Sequence, residues 1–398
     1  MSDPLLAFRA EFPILEETVY LISNSLGAMP RAAETALADY ARTWRTRGVR
    51  AWADGWWGMS LDVGDEIAPL IGAVPGSIAM LPSVTAAQAV VLSALEYRPP
   101  RDRILLIEGE FPSVAYVYEG LAGRLGARVE VVPSPGGDGL AADEERIAAA
   151  IDERTAVVCL SHVLFKSAYL LDLAPILLRA REAGAIVVVD GYQSVGTVPV
   201  DVSAQRIPVL VGGVLKWLCG GPGAAFLYVD PELASRLRPA LTGWFAHKRP
   251  FAFEDAMDPL DGAGRFLLGT PSIPSLYAAR EGPRILRAAG MPAVREKSLR
   301  QTDRLMRLAD ERGMRVASPR LPSRRGGTVS IDFPNSLEVS RELNDRDVCV
   351  DYRPGVGIRL SPHFYTRDDE LDRAFEEIDA IRTAGSWRRW ADRPAVVT

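Results

Sequence analysis

Residues 156–190 read AVVCLSHVLFKSAYLLDLAPILLRAREAGAIVVVD, and this stretch decides the fold. Two short apolar runs, 156–160 (AVVCL) and 185–190 (AIVVVD), flank a helical pattern over 173–183. Runs of Val, Ile and Leu at this length suit strands buried on both faces, and the helix between them supplies the crossover that parallel neighbours need. Working outward, 103–107 (RILLI) and 127–132 (ARVEVV) precede the unit, with a second helical pattern over 143–150. Downstream lie 209–212 (VLVG) and 224–229 (AAFLYV). These two are too close for a helical crossover and predict an antiparallel turn-back at the sheet edge. The alternation predicts an α/β fold with a mostly parallel sheet covered by helices.

The texture changes near residue 283. A charged helix over 292–312 leads to a strand over 326–333, a helix over 337–344, a strand over 348–352, the segment 357–360 and a closing helix over 368–383. That order predicts a smaller α+β domain. The expected division is an N-terminal segment over 1–45 packing with the small domain, a large domain over 46–285 and the small domain over 286–398. The polar tail after Trp387 is expected to fray.

The 398 residues are 48% apolar, ample for a sizeable core, and carry 46 Lys+Arg against 51 Asp+Glu, a net charge of −5. That balance excludes a dominant nucleic-acid footprint, which needs clustered positive charge. Three cysteines (Cys159, Cys219, Cys349) form no C-x-x-C pair, and three histidines (His162, His247, His363) are scattered. Neither set reads as a disulfide framework or a metal site. There is no run of about 18 apolar residues to span a membrane, and no uninterrupted apolar signal segment. The expectation is a cytoplasmic enzyme without a metal.

Five places carry chemistry. Lys216 stands in GGVLKWLCGGPG (212–223), between an apolar strand and a glycine-rich turn. It reads either as a surface lysine at a strand end or as a desolvated amine, lowered in pKa, that attacks a carbonyl to form a Schiff base. Asp190 closes AIVVVD at the end of the sheet where open α/β folds bind ligands. It reads as a helix N-cap or as the carboxylate that keeps a pyridine nitrogen protonated, with Gln193 donating to the same ring's oxygen. Ser83-Val84-Thr85 opens an apolar helix and reads as a simple N-cap or a phosphate site. Phe111, in EFPS (110–113), is either core or a stacking ring. Arg359 interrupts the apolar GIRLS (357–361), as a clamp on a substrate carboxylate or as one half of an internal ion pair.

Each signal is weak alone, but their order along the chain is specific. Together with YLISNSLG (20–27), GWFAH (243–247) and VDYR (350–353), they resemble fold-type I pyridoxal-5′-phosphate-dependent enzymes of the class V aminotransferase superfamily, in the kynureninase-like branch. The resemblance implies a seven-stranded-type sheet and pyridoxal 5′-phosphate as cofactor. It implies that Lys216 carries the cofactor, that Asp190 and Gln193 meet the ring, and that Phe111 lies over its face. Val84 (through its backbone) and Thr85 would hold the phosphate, with Trp244 and Thr270 closing over it, Thr270 from a partner subunit in a homodimer. Arg359 would bind the amino-acid substrate's carboxylate, with Asn24 and Ser25 at the substrate mouth. The sequence departs from the branch at Gln193, where a histidine is usual, at Leu215 and Gly213, and in residues 42–57, which hold no histidine. These departures fall on substrate recognition. The activity implied is a lyase or hydrolase cleaving a Cβ–Cγ or Cβ–S bond. An aminotransferase or epimerase on the same scaffold, and a cofactor-binding protein without turnover, are the alternatives.

Overall fold

The computed structural model describes residues 3–391 and 393. The expected fraying beyond Trp387 concerns, at 392 and 394–398, positions outside the described residues.

In chain order the strands are β1 (Val19–Tyr20), β2 (Ile78–Leu81), β3 (Arg103–Ile107), β4 (Arg128–Val132), β5 (Thr155–Ser161), β6 (Ile186–Asp190), β7 (Val209–Gly213) and β8 (Ala225–Val229). Seven of them form one sheet in the order β2-β8-β7-β6-β5-β3-β4. The pairs from β4 to β7 are parallel, and β8 alone runs against its neighbours. Helices Glu144–Ala150 and Ala174–Ala183 make the crossovers expected from the sequence, and helix Pro112–Leu125 makes the one between β3 and β4. Helix Ala174–Ala183 ends on Gly184, whose φ of 70° is left-handed backbone that suits glycine and turns the chain into β6.

The pleat deals alternate residues to two cores. Val157, Cys159, Val188 and Val211 face one, while Val158, Leu160, Val189 and Leu210 face the other. This two-sided burial is why the runs read as continuously apolar.

The sequence reading differs from the structure at one edge. The turn-back β7–β8 is present, but β2 lies beyond β8 and forms the edge. Ile78–Leu81 is four fully buried apolar residues, too short a run for periodicity to separate strand from helix.

The second sheet has β9 (Arg315–Val316), β10 (Val329–Asp332), β12 (Asp351–Arg353) and β13 (Gly357–Leu360), in the order β12-β13-β10-β9. Between β10 and β12, β11 (Val348–Cys349) pairs in parallel with β1. The single strand expected over 348–352 is therefore two, because its halves face different partners. Helices Met291–Asp310, Ser336–Asp345 and Asp368–Ala384 cover a core that includes Leu305, Ile331, Leu343, Ile358 and Phe375. Val19 and Leu21 join this core, whereas helix Arg31–Arg47 packs on helix Ile273–Ala279 beside the large sheet. No helix among the described residues is long and apolar enough to cross a membrane.

Candidate active site

The C-terminal ends of β5, β6 and β7, with the loop after β3, converge on a cavity of about 460 Å³. Its wall holds Val84, Thr85, Phe111, Asp190, Gln193 and Lys216 from the large sheet's side, Ser25 from the N-terminal segment, and Arg353 and Arg359 from the small sheet. Open α/β sheets leave such a crevice where strand ends and connections diverge.

Helix Val84–Ser93 begins at this wall. Ser83 caps it, its Oγ accepting from the Ala86 N–H at 3.1 Å. The N–H groups of Val84 and Thr85 fall in the first turn, where a helix offers no internal acceptor.

Lys216 lies in the turn after β7. Its Nζ stands 4.3 Å from the Tyr192 ring centroid and 5.7 Å from that of Phe111. Burial, then the nearby Arg359 charge, pulls its pKa down to about 8, against the opposing pull of Asp190 and Asp351. The Tyr192 ring also explains Gly213: a Cβ there would meet the Tyr192 Cζ at 2.1 Å.

Asp190 ends β6 with its carboxylate buried. It accepts from the Tyr192 N–H at 2.8 Å, and the Gln88 amide stands at 3.5 Å. Burial raises its pKa to about 6, although the Tyr192 N–H and the charge of Lys216 oppose the rise. Gln193 accepts from Trp217 Nε1 and donates to the Asn24 carbonyl, both at 3.0 Å. Its second amide hydrogen is left for the cavity.

Arg359 is 2% exposed. Its Nε donates to Asp351 Oδ1 at 2.7 Å, its Nη2 donates to Asp351 Oδ2, and its Nη1 donates to the Phe165 carbonyl at 2.5 Å. Nη2 also donates to Ser25 Oγ at 3.2 Å. With its amide oxygen turned toward the guanidinium, Asn24 accepts from Nη1 at 3.2 Å and donates to Ser361 Oγ at 2.8 Å. Arg359 thus makes an internal ion pair with Asp351 and also lines the cavity.

Three expected residues stand away from the cavity. Asn24 is 1% exposed and lies behind Ser25. Trp244 packs edge-on to Trp57 and Phe251, stacks on Phe253 and donates to the Pro250 carbonyl at 2.7 Å. Thr270 lines a neighbouring cleft that shares Pro82 and Gly223 with the main cavity. Residues 44–57 do not line it either: Trp56 donates to Tyr277 Oη at 3.1 Å and Trp57 stacks on Phe245.

Other wall residues went unassigned in the sequence reading. Val163 and Phe165 follow β5, so the strand-end rule points to them. Arg353 lay inside the quoted VDYR, and Tyr192 between Asp190 and Gln193, both without a role. Outside the wall itself, Glu110, one residue before Phe111, accepts from the Ser161 N–H at 2.7 Å and from its hydroxyl at 2.6 Å. Burial, and the nearby Asp190 carboxylate, push it up to about 8 against those hydrogen bonds.

A lysine without a hydrogen-bonded carboxylate, a buried carboxylate with spare lone pairs, an aromatic wall and a helix N-terminus with first-turn N–H groups still to be matched suit a planar phosphorylated aldehyde of pyridine. The fold and the cavity thus define a pyridoxal-5′-phosphate-dependent enzyme of fold type I. The chain belongs to the class-V aminotransferase family, whose sequence model matches residues 19–359. It is 36% identical to a kynureninase of Pseudomonas fluorescens over 97% of this chain and 94% of that one. It is 32% identical to a kynureninase of Burkholderia pseudomallei over 99% and 97%. Its lyase class is therefore kynureninase-like. In structure it is similar to a cysteine desulfurase of Thermococcus onnurineus, with a TM-score of 0.82 at 21% identity over 96% of this chain and 99% of that one. It is also similar to a C-DES variant with glycine covalently linked to its PLP cofactor, at a TM-score of 0.83, 20% identity, and 93% and 98% coverage.

Proposed function

We propose that this chain cleaves the Cβ–Cγ bond of an amino acid, as a kynureninase-like lyase with kynurenine or a related side chain as substrate. The observation that carries the reading is the opposition of Lys216 and Asp190 across one cavity, in a chain that matches kynureninases along nearly its whole length. Cβ–S cleavage has the weaker support, because the C–S enzymes are matched in fold alone.

Pyridoxal 5′-phosphate, when bound, supplies an electron sink for bond cleavage beside its ring. The Val84 and Thr85 N–H groups and the Thr85 hydroxyl would hold its phosphate. Phe111 would cover its ring, Asp190 would pair with the ring nitrogen, and the spare Gln193 amide hydrogen would meet the ring oxygen. Lys216 would carry the cofactor, and its amine would hold or move the proton at the substrate's Cα. A pKa near 8 keeps part of that amine neutral at physiological pH. Phe165 and Tyr192 exclude water around the side chain.

The working form is a homodimer in the cytoplasm. Trp244, Phe251 and Phe253 are 42%, 65% and 76% exposed, and Thr270 stands outside its own chain's cavity. A second copy seated on this aromatic face would bring Trp244 and Thr270 to the neighbour's phosphate. The three unpaired thiols suit a reducing compartment.

The test incubates the holoenzyme with kynurenine and a panel of other amino acids. Release of alanine together with an aromatic acid from kynurenine supports the proposal. Release of alanine or pyruvate from a sulfur amino acid but not from kynurenine, or a stoichiometric build-up of the cofactor's amine form, would assign the chain to Cβ–S cleavage or to transamination.

A further inference from the structure

A glutamine amide can turn either its oxygen or its NH2 toward a ligand, and the partners of its other atoms decide which. Gln193 has two partners with fixed roles. An indole N–H only donates, and Trp217 Nε1 donates to Gln193 Oε1 at 3.0 Å. A backbone carbonyl only accepts, and that of Asn24 takes one hydrogen from Gln193 Nε2 at 3.0 Å. Swapping the two ends would set oxygen against oxygen at Asn24 and hydrogen against hydrogen at Trp217. The group left for the cavity is therefore a donor.

Trp217 is itself held in a fitted slot. It follows Lys216 in the chain, is 1% exposed and lies behind the cavity wall. Two glycines make room for it. A Cβ at Gly196 would meet the Trp217 Cβ at 2.8 Å, and a Cβ at Gly327 would meet the indole Cη2 at 2.9 Å. The His363 ring packs edge-on to the indole, with centroids 5.3 Å apart, and its Nε2 donates to the Trp217 carbonyl at 2.8 Å. Gly327 leads into β10 and His363 follows β13, so the small sheet braces the indole and the indole braces the amide.

We infer that Trp217 is a positioning residue for the reaction: its N–H holds the Gln193 amide so that a donor, and not the amide oxygen, meets the ring oxygen of pyridoxal 5′-phosphate. A donor there favours the anionic form of that oxygen, and so helps set the cofactor's protonation before substrate arrives. This role rests on the reading of Gln193 as the ring oxygen's partner.

The experiment follows the absorbance of substrate-free holoenzyme against pH in wild type, Trp217→Phe, Gln193→Ala and the double variant. Trp217→Phe keeps an aromatic ring and drops the N–H. It should raise the midpoint of the absorbance change by about half to one pH unit, because the loosened amide donates less well. Gln193→Ala should raise it at least as far. The double variant should match Gln193→Ala, since no amide is left to orient. If Trp217→Phe does not fold, Trp217→benzothienylalanine, which keeps the indole's shape without its N–H, takes its place in both backgrounds. A wild-type midpoint in the Trp217 variant, or an equal rise when it is added to Gln193→Ala, would overturn the positioning role alone. A wild-type midpoint in Gln193→Ala would overturn the reading of Gln193, and this inference with it.

Discussion

Asp351 and Arg359 face each other across the β12–β13 ladder, with Nε 2.7 Å from Oδ1, and both are almost wholly buried. Burial works against the Asp351 charge, yet the hydrogen bonds and charge of Arg359, with the charge of Arg353, hold its pKa below the usual value of 3.8. Two partners that each need the other make the pair sensitive to loss of either side.

Asp351→Asn should therefore unfold more easily, by about 3–5 kcal/mol, because it strands a buried guanidinium. Chemical denaturation at neutral pH measures this. The wild-type contribution has a defined pH window. Since the folded pKa lies below 3.8, the stabilisation is complete above that value and is lost as pH falls through the folded pKa. Asp351→Asn should show a shallower loss of stability under acid. Equal acid sensitivity in both proteins would remove the pair from the account.

Lys216→Ala should lose covalent attachment of the cofactor, so borohydride fixes nothing to the chain. In wild type the amine pKa is lowered from 10.5 to about 8. The rate at which ligand-free chain takes up pyridoxal 5′-phosphate should rise with pH, with a midpoint near 8. Stopped-flow absorbance reads that profile. A flat profile from pH 6 to 9 would place the reactive amine elsewhere.

Asp190→Asn separates activity from stability. The Asp190 pKa is raised from 3.8 to about 6 by burial, so the folded chain binds this proton more tightly than the unfolded one. Stability from this group is present below 3.8 and is lost as pH rises through about 6. At pH 7 the ligand-free Asn variant should melt no lower than wild type. Its turnover should fall by roughly a hundredfold or more, because a preorganised charge at the ring is gone. Unchanged turnover would show that Asp190 does not face the cofactor's nitrogen.

Phe253→Asp should weaken the proposed dimer. Phe253 is 76% exposed and stacks on Trp244 at 6.1 Å between ring centroids. Sedimentation should show wild type as a dimer and the variant shifted toward monomer, with weaker retention of cofactor. A monomeric wild type with full activity at micromolar concentration would refute the composite site.

The parallel sheet was legible in the sequence because its central strands are buried on both faces, so their chemistry is written as unbroken apolar runs. Arg103–Ile107 and Gly357–Leu360 coincide with the runs that announce them. Lys216, Asp190 and Phe111 were legible because each sits where an apolar run stops, and strand ends are where this architecture opens a cavity. The apolar runs therefore determined the fold class, while the cofactor and the residues around it were implied by the resemblance to the class V superfamily.

The partners of Arg359 were not legible. A guanidinium in an apolar strand demands an anion, but the residue alone does not say whether that anion is a ligand or Asp351 eight positions earlier. The β12–β13 register sets Asp351 opposite Arg359. The same holds for β2, whose four residues become an edge strand only because β8 turns back to meet them. Periodicity reports how each segment is buried, since that is a local property of the chain. Which side chain meets which depends on contacts between distant segments, and only the tertiary structure brings those together.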